Sequence, residues 1–262
     1  MTMDFEAELV AVAAERSARR ATIKKYPTLS VVIATARPAD LSNILIQLEA
    51  QTMKKFELLL GIHKFKIGPS HRTAITRLKR RGISVITQDF SAAHTLGSVL
   101  TAMAMQSAGD YLAKMDDDDI YGPEHLRDLM DTAVTTGAEV VGKAMNYIYL
   151  EAIDLTVRRM GPTGIASVNQ WDDWVCGGTI LVKRDAAEAA GWFGEGKSAV
   201  DHFLLSGVKR NGGKIYRTFG LGYIYKRSIA TQTYITNYSK YMRGTSGQKV
   251  GIWSHAEFGT QS

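Results

Sequence analysis

Between about residues 28 and 142, short apolar runs alternate with longer amphipathic segments, and this alternation restricts the fold more than any single motif does. Leu29-Ser-Val-Val-Ile-Ala34, Phe56-Glu-Leu-Leu-Leu-Gly61, Ile83-Ser-Val-Ile-Thr87, Tyr111-Leu-Ala-Lys-Met115 and the run beginning Glu139-Val-Val-Gly142 read as strands by length and composition. Helical stretches separate them. One runs from an N-cap at Asp40 to about Gln51, one from Ser70 to Arg81 with Gly82 as its stop, and one from Leu96 to Ser107. A fourth starts with Pro123 in its first turn and ends near Thr136. The pattern predicts an α/β fold: a mostly parallel, doubly wound, Rossmann-like sheet with helices on both faces. Ligands of such sheets collect at the carboxyl ends of the strands.

Outside that region the pattern loosens. Residues 1–27 read as an amphipathic helix with Phe5, Leu9, Val12 and Ala13 on one face, ended by Pro27. Gly177–Val182 reads as a strand, Asp185–Gly191 and Ala199–Arg210 as helices, and Lys214–Thr218 and Gly222–Tyr225 as short strands. Residues 28–228 are expected to form one continuous domain. Residues 229–262 show no clear period and suggest a lid or an acceptor-side segment. No apolar run approaches 18 residues, so no integral membrane segment is expected. The N-terminus carries Asp4, Glu6, Glu8 and Glu15 and lacks the basic start of a secretory signal. Cys176, the only cysteine, excludes an internal disulfide and a cysteine-based metal site; a reducing, cytoplasmic setting is expected.

Charge is distributed unevenly in the 262 residues. The net charge is +6, yet no Asp or Glu occurs between Leu58 and Gln88, where Lys64, Lys66, Arg72, Arg77, Lys79, Arg80 and Arg81 lie. From His202 to Ala256 nine Lys and Arg again face no acid. This asymmetry suggests an anionic partner, and a solvated basic surface is the plainer alternative.

The acids gather at Asp116-Asp-Asp-Asp119, directly behind the fourth strand and ahead of a helix. Four adjacent carboxylates repel one another. They suit a hard divalent cation, Mn²⁺ or Mg²⁺, which takes one or two protein carboxylates and leaves room for water and phosphate. An acidic helix N-terminus favoured by the dipole is the alternative. The ligand spacing of an EF-hand is missing, as are GxxxxGK[ST] and a GxGxxG after the first strand.

LSVVIATARP, a helix ending in Ala-Gln-Thr, FELLLG and then AGDYLAKMDDDDIYGPEHL together resemble the GT-A glycosyltransferases of family 2. Downstream, Cys176-Gly-Gly-Thr-Ile-Leu-Val-Lys-Arg, Ala190-Gly-Trp-Phe-Gly-Glu and Ala199-Val-Asp-His-Phe-Leu resemble further segments of that family, in order, over about residues 28–227. The resemblance implies a GT-A catalytic domain over 28–228 and transfer of a sugar from a nucleotide-sugar donor, a UDP-sugar first, to an acceptor hydroxyl. Asp116 and Asp118 match its DxD pair, which binds the divalent ion, and Asp117 fills the variable place beside the donor. Asp201 matches the general base of inverting members. Thr35 and Arg37 fall on the donor side, and Trp174, Gly177, Gly178 and His202 near the acceptor.

The sequence departs from that pattern in four places. His63 stands in LLLGIHKFK where the family has "VVDDGS". Gly97-Ser-Val-Leu-Thr replaces "ARN", and Val200-Asp201 lacks the Glu of "ED". Tyr225-Lys-Arg-Ser228 replaces the late "RxH", which assigns Lys226 and Arg227 to the diphosphate.

The acceptor stays open between a surface glycan or glycoconjugate and DNA carrying a hydroxylated base. The run KRNGGKIYRTFGLGYIYKRS, with alternating cations and aromatics, favours DNA; packing is its plainer reading. A non-catalytic sugar-nucleotide binding module is a further alternative, and a glycosidase built on two carboxylates fits the tandem aspartates poorly.

Overall fold

A computed structural model describes residues 4–228 and 237–253. The alternating region folds as β1 (Leu29–Thr35), α2 (Pro38–Ala50), β2 (Glu57–His63), α3 (Pro69–Arg80), β3 (Ser84–Phe90), α4 (Leu96–Ala104) and β4 (Tyr111–Lys114), preceded by α1 (Phe5–Thr22). Then follow β5 (Ile120–Tyr121), α5 (His125–Thr136), β6 (Val140–Lys143), β7 (Tyr147–Leu150), β8 (Leu155–Arg159), β9 (Gln170–Asp172), β10 (Leu181–Lys183), α6 (Arg184–Ala189) and α7 (Val200–Arg210). β11 (Ile215–Thr218), β12 (Tyr223–Arg227), α8 (Ser239–Met242) and β13 (Thr245–Val250) complete the described chain.

Eight strands form the main sheet in the order β3-β2-β1-β4-β10-β6-β11-β9. β3, β2, β1 and β4 are parallel, as is the pair β6 and β11. β10 runs antiparallel between β4 and β6, and β9 antiparallel at the edge. A second sheet, β13-β8-β7-β12-β5, stands beside it.

Successive side chains of a strand face opposite sides. Val31 and Ile33 of β1 therefore join Leu58 and Leu60 against Leu41, Ile44, Leu45 and Leu78 of α2 and α3. Val32, Leu59 and Leu112 face the other way, onto Val99, Leu100 and Met103 of α4 and Leu204 and Val208 of α7. Each such side chain is withdrawn from water almost completely, worth roughly 1.5–3 kcal/mol apiece. A continuous apolar run is what a strand covered on both faces requires.

Several sequence expectations need correction. α2 begins at Pro38 with Arg37 as its cap, because proline's fixed φ suits the first helical position; Asp40 lies inside the first turn and pairs with Arg37 at 3.0 Å. α1 stops at Thr22, short of Pro27, where Ile23 turns extended. Its inward face is Phe5, Leu9 and Val12 together with buried Glu8 and Arg16, while Ala13 is exposed. α4 ends at Ala104. The expected strand at Gly177–Val182 opens as a 3-10 turn over Gly177–Thr179 and pairs only from Leu181. Residues 229–236 and 254–262 of the expected lid lie outside the described residues; within 237–253, β13 pairs antiparallel with β8.

The charged residues inside α1 are matched. Arg16 Nε and Nη2 donate to Asp128 of α5 at 2.8 and 2.9 Å, and Lys143 Nζ reaches the same carboxylate at 3.0 Å. Arg20 bonds Asp131 at 2.8 Å, and Arg158 meets Glu8 at 2.7 Å. Burial alone would push the Asp128 carboxyl up, but Lys143 and Arg16 hold it below the usual carboxylate range. Burial lowers the Lys143 amine to about 8 against the pull of Asp128. Removing one partner of such a network leaves buried charge uncompensated, at about 3–5 kcal/mol. Asp128→Ala should lower stability by that amount in urea denaturation.

Candidate active site

β4 ends at Lys114, and the four aspartates follow at the carboxyl end of the parallel strands. Their exposure alternates. Asp117 and Asp119 are each 3% exposed, whereas the side chains of Asp116 and Asp118 are 35% and 24% exposed. The inward pair fastens the loop. Asp117 accepts from Thr35 Oγ1 at 2.5 Å and forms an ion pair with Arg37. Asp119 accepts from Tyr223 Oη at 2.6 Å and from the Lys226 N–H at 2.9 Å. The outward pair is left at the opening, where Arg37 also reaches Asp118 at 3.0 Å.

Lys114 is 2% exposed, and its ammonium sits between two carboxylates. Nζ lies 2.7 Å from Asp116 Oδ1 and 2.9 Å from Asp201 Oδ1, and it donates to the Gly177 carbonyl at 3.2 Å. Burial works against its charge, yet Asp116 and Asp201 together raise its pKa above the ordinary lysine value. One buried cation thus brings the first aspartate of the loop and Asp201, at the start of α7, to the same point. The backbone of the 3-10 turn closes around them. A Cβ at Gly177 would fall 2.0 Å from Asp201 Oδ2, and a Cβ at Gly178 would fall 2.6 Å from Asp119 Oδ2 and 3.0 Å from Asp116 Oδ2. Only glycine fits either place.

Burial also pushes the carboxyls of Asp117, Asp118 and Asp201 above the usual range, and that of Asp119 well above it. Neighbouring carboxylates add to this at Asp118 and Asp119, while Arg37, Tyr223 and Lys114 pull the other way.

The remaining expected residues divide. Thr35 and Arg37 stand at the end of β1 against the loop, and His63 ends β2, where burial lowers its pKa. Lys226 lends its N–H to Asp119, and its side chain reaches Glu151 at 2.8 Å. Arg227 is buried, its guanidinium 5.2 and 5.6 Å from the ring centroids of Tyr225 and Tyr241, and Nη1 donates to Tyr225 Oη at 2.7 Å. Trp174 is half-buried, and Arg217 bonds its carbonyl at 3.0 Å. His202 is exposed on α7 and reaches Ser206 at 3.4 Å. In the cation–aromatic run, Arg217, Tyr223 and Arg227 are interior, while Lys209, Arg210 and Lys214 are exposed. Sequence reasoning gave Lys114 and Tyr223 no role. The available signal was a lysine inside the apolar strand Tyr111-Leu-Ala-Lys-Met115, where a charge must have a partner.

A divalent ion suits this donor set. Asp116 and Asp118 offer hard oxygens on partly exposed side chains, and glycine at 178 keeps side-chain bulk away. Among the described residues no three His, Cys, Asp or Glu side chains group into a complete metal site. Two carboxylates with phosphate and water completing the shell is the arrangement Mg²⁺-type ions favour with nucleotides.

No protein-family model and no curated protein matches the chain. Solved structures do. S. aureus TarS 1–349 in complex with UDP-GlcNAc superposes with a TM-score of 0.57 at 14% identity, covering 82% of this chain and 64% of that one. The longer S. aureus TarS chain gives 0.60 at 15% identity, covering 77% and 37%. The mannosyltransferase PcManGT from Pyrobaculum calidifontis, in complex with GDP-Man and Mn²⁺, gives 0.57 at 12% identity, covering 88% and 70%. The chain has the GT-A fold. It spans less than two thirds of the length of either TarS chain. That fold accounts for the parallel strands β3-β2-β1-β4. No helix among the described residues is long and apolar enough to cross a membrane.

Carboxyls raised above the unfolded value of about 3.9 favour the folded state at acid pH, and that contribution is lost as pH rises through the folded values. At neutral pH the ionised cluster opposes folding. Asp118→Asn should therefore raise the thermal midpoint near neutral pH in chelator. The gain should vanish at about pH 3, where the wild-type carboxyl is also protonated. Scanning calorimetry at the two pH values checks this.

Proposed function

We propose that the chain is a metal-dependent glycosyltransferase that moves a sugar from a nucleotide-sugar donor to an acceptor hydroxyl with inversion. The observation that carries the reading is the Lys114 bridge, because it sets a candidate base, Asp201, beside the first carboxylate of the metal-type loop. The fold shared with TarS, solved with UDP-GlcNAc, and with PcManGT, solved with GDP-Man and Mn²⁺, supports it.

In this reading Asp116 and Asp118 hold Mn²⁺ or Mg²⁺ at the open side of the loop. When bound, the ion offsets the charge that grows on the leaving diphosphate. Thr35 and Arg37 keep Asp117 turned inward, so the outward carboxylates stay aimed at the opening. His63, at the end of β2, borders the nucleotide side, and Lys226 rather than Arg227 is the cation near the donor. Asp201 accepts the acceptor's proton, held in place by Lys114 and by the turn at Gly177 and Gly178. Trp174 and His202, on either side of that turn and base, border the acceptor. The acceptor is a glycan or glycoconjugate.

Release of nucleotide from UDP- and GDP-sugars in the presence of Mn²⁺, with and without glycan acceptors, tests the reading. Asp201→Asn should lower kcat by about 10²–10⁴ and leave nucleotide affinity unchanged, the range expected for loss of a general base. Turnover preserved in Asp201→Asn would remove the base. Nucleotide binding without turnover of any donor would favour a non-catalytic module.

A further inference from the structure

Trp171 has no part in the carboxylate site, yet it is 51% exposed. It lies on β9, the edge strand of the main sheet, in register with Tyr216 of β11. The two rings stand 5.2 Å apart at 86°, which props the indole upright on the sheet edge. The indole N–H makes no hydrogen bond to the described residues. Two open grooves meet at this ring. One of about 380 Å³ includes Asp173 and Lys209, and the other, of about 480 Å³, includes Glu139 and Asn211. Lys214 borders both, with Nζ 5.8 Å from the indole centroid.

These grooves lie at the amino ends of β6 and β11, away from the aspartates. α7 spans the gap: Asp201 begins it and Lys209 stands near its end, about 12 Å along the axis at 1.5 Å per residue.

The chemistry selects one class of ligand. A large exposed indole offers a flat apolar face together with a polar handle. The flanking groups are of both signs: Asp173 and Lys209 form an exposed ion pair at 2.6 Å, Glu139 pairs with Lys183 at 3.0 Å, and Lys214 stands over the indole. The Asn211 amide donates to the Ala189 carbonyl, while its oxygen has no partner among the described residues. Such mixed charge does not suit a polyanion, which calls for an excess of cations. It suits a neutral molecule with an apolar face and a rim of hydroxyls. A pyranose has that form, its C–H groups on one face and its hydroxyls around the edge.

We propose that Trp171 and its two grooves form a carbohydrate-binding surface, distinct from the carboxylate site, that holds a glycan chain by stacking on the indole and hydrogen bonding to Asp173, Lys209 and Asn211. The surface needs neither donor nor metal, so it stands independently of the transferase reading. If both hold, a bound glycan raises the effective concentration of its own further units near Asp201.

Affinity electrophoresis through native gels containing soluble mannan, dextran or glycol chitin, without nucleotide or metal, tests the proposal. The wild-type chain should be retarded in at least one gel. Trp171→Ala should weaken that retardation at least about tenfold in dissociation constant, the loss of roughly 1.4 kcal/mol. Trp171→Phe should retain part of it, and Asp201→Asn all of it. Should Trp171→Ala fail to fold by circular dichroism, the exposed-rim pair Lys209→Ala and Asp173→Ala carries the same expectation. Retardation unchanged in these variants overturns the proposal, as does no retardation of the wild type in any of the three gels. A gel shift with DNA that depends on Trp171 would also overturn it, by reassigning the surface to nucleic acid. Loss of donor turnover with retardation intact would count against the transferase reading alone.

Discussion

Carboxylates brought together without counter-charge repel, and the site depends on how that repulsion is met. Two unit charges 4 Å apart interact by about 4 kcal/mol at the effective dielectric of a protein surface, so adjacent aspartates need cations close by. Lys114 and Arg37 supply them. Arg37 takes Asp117 and Asp118, and Lys114 takes Asp116 and Asp201. Burial outweighs these cations at Asp118 and Asp201, whose carboxyls stay raised, as that of Asp119 does, with neighbouring carboxylates adding to it.

The second half of the chain supports that arrangement. β5 pairs with β12, placing Tyr121 opposite Tyr223. Tyr121 Oη accepts from the Asp116 N–H and donates to the Gly178 carbonyl, while Tyr223 holds Asp119. The antiparallel strand β10, squeezed between β4 and β6, is what delivers Gly177 and Gly178 to the carboxylates.

Strands β1, β2 and β4 were legible in the sequence because they are buried on both faces and read as apolar runs, whereas β3, at the sheet edge, is largely exposed. The helices of this half differ from expectation mainly at their ends, as at Pro38. The short strands were not legible. β9 and β10 have three residues each, too few to show a period, and Leu181–Lys183 could not announce its antiparallel direction. β13 pairs with β8, and β12 with β7, across long sequence separations, which no local pattern encodes. Within the site, the DxD spacing and Asp201 were visible through resemblance. The inward roles of Asp117 and Asp119 were not, because four identical residues in a row carry no sign of which face each takes. Arg217 and Arg227 looked like surface cations and proved interior, since their partners, the Trp174 carbonyl and the ring of Tyr241, are distant in sequence.

The central claim is that Asp116 and Asp118 hold a divalent ion together with a nucleoside diphosphate. Electron paramagnetic resonance of free Mn²⁺ during titration, with and without UDP or GDP, tests it most directly. The account predicts modest affinity for the ion alone, strengthened about tenfold or more by one of the nucleotides, and both effects abolished when Asp116 and Asp118 are replaced by alanine. Mn²⁺ binding that ignores the nucleotide, or that survives loss of both carboxylates, would contradict it.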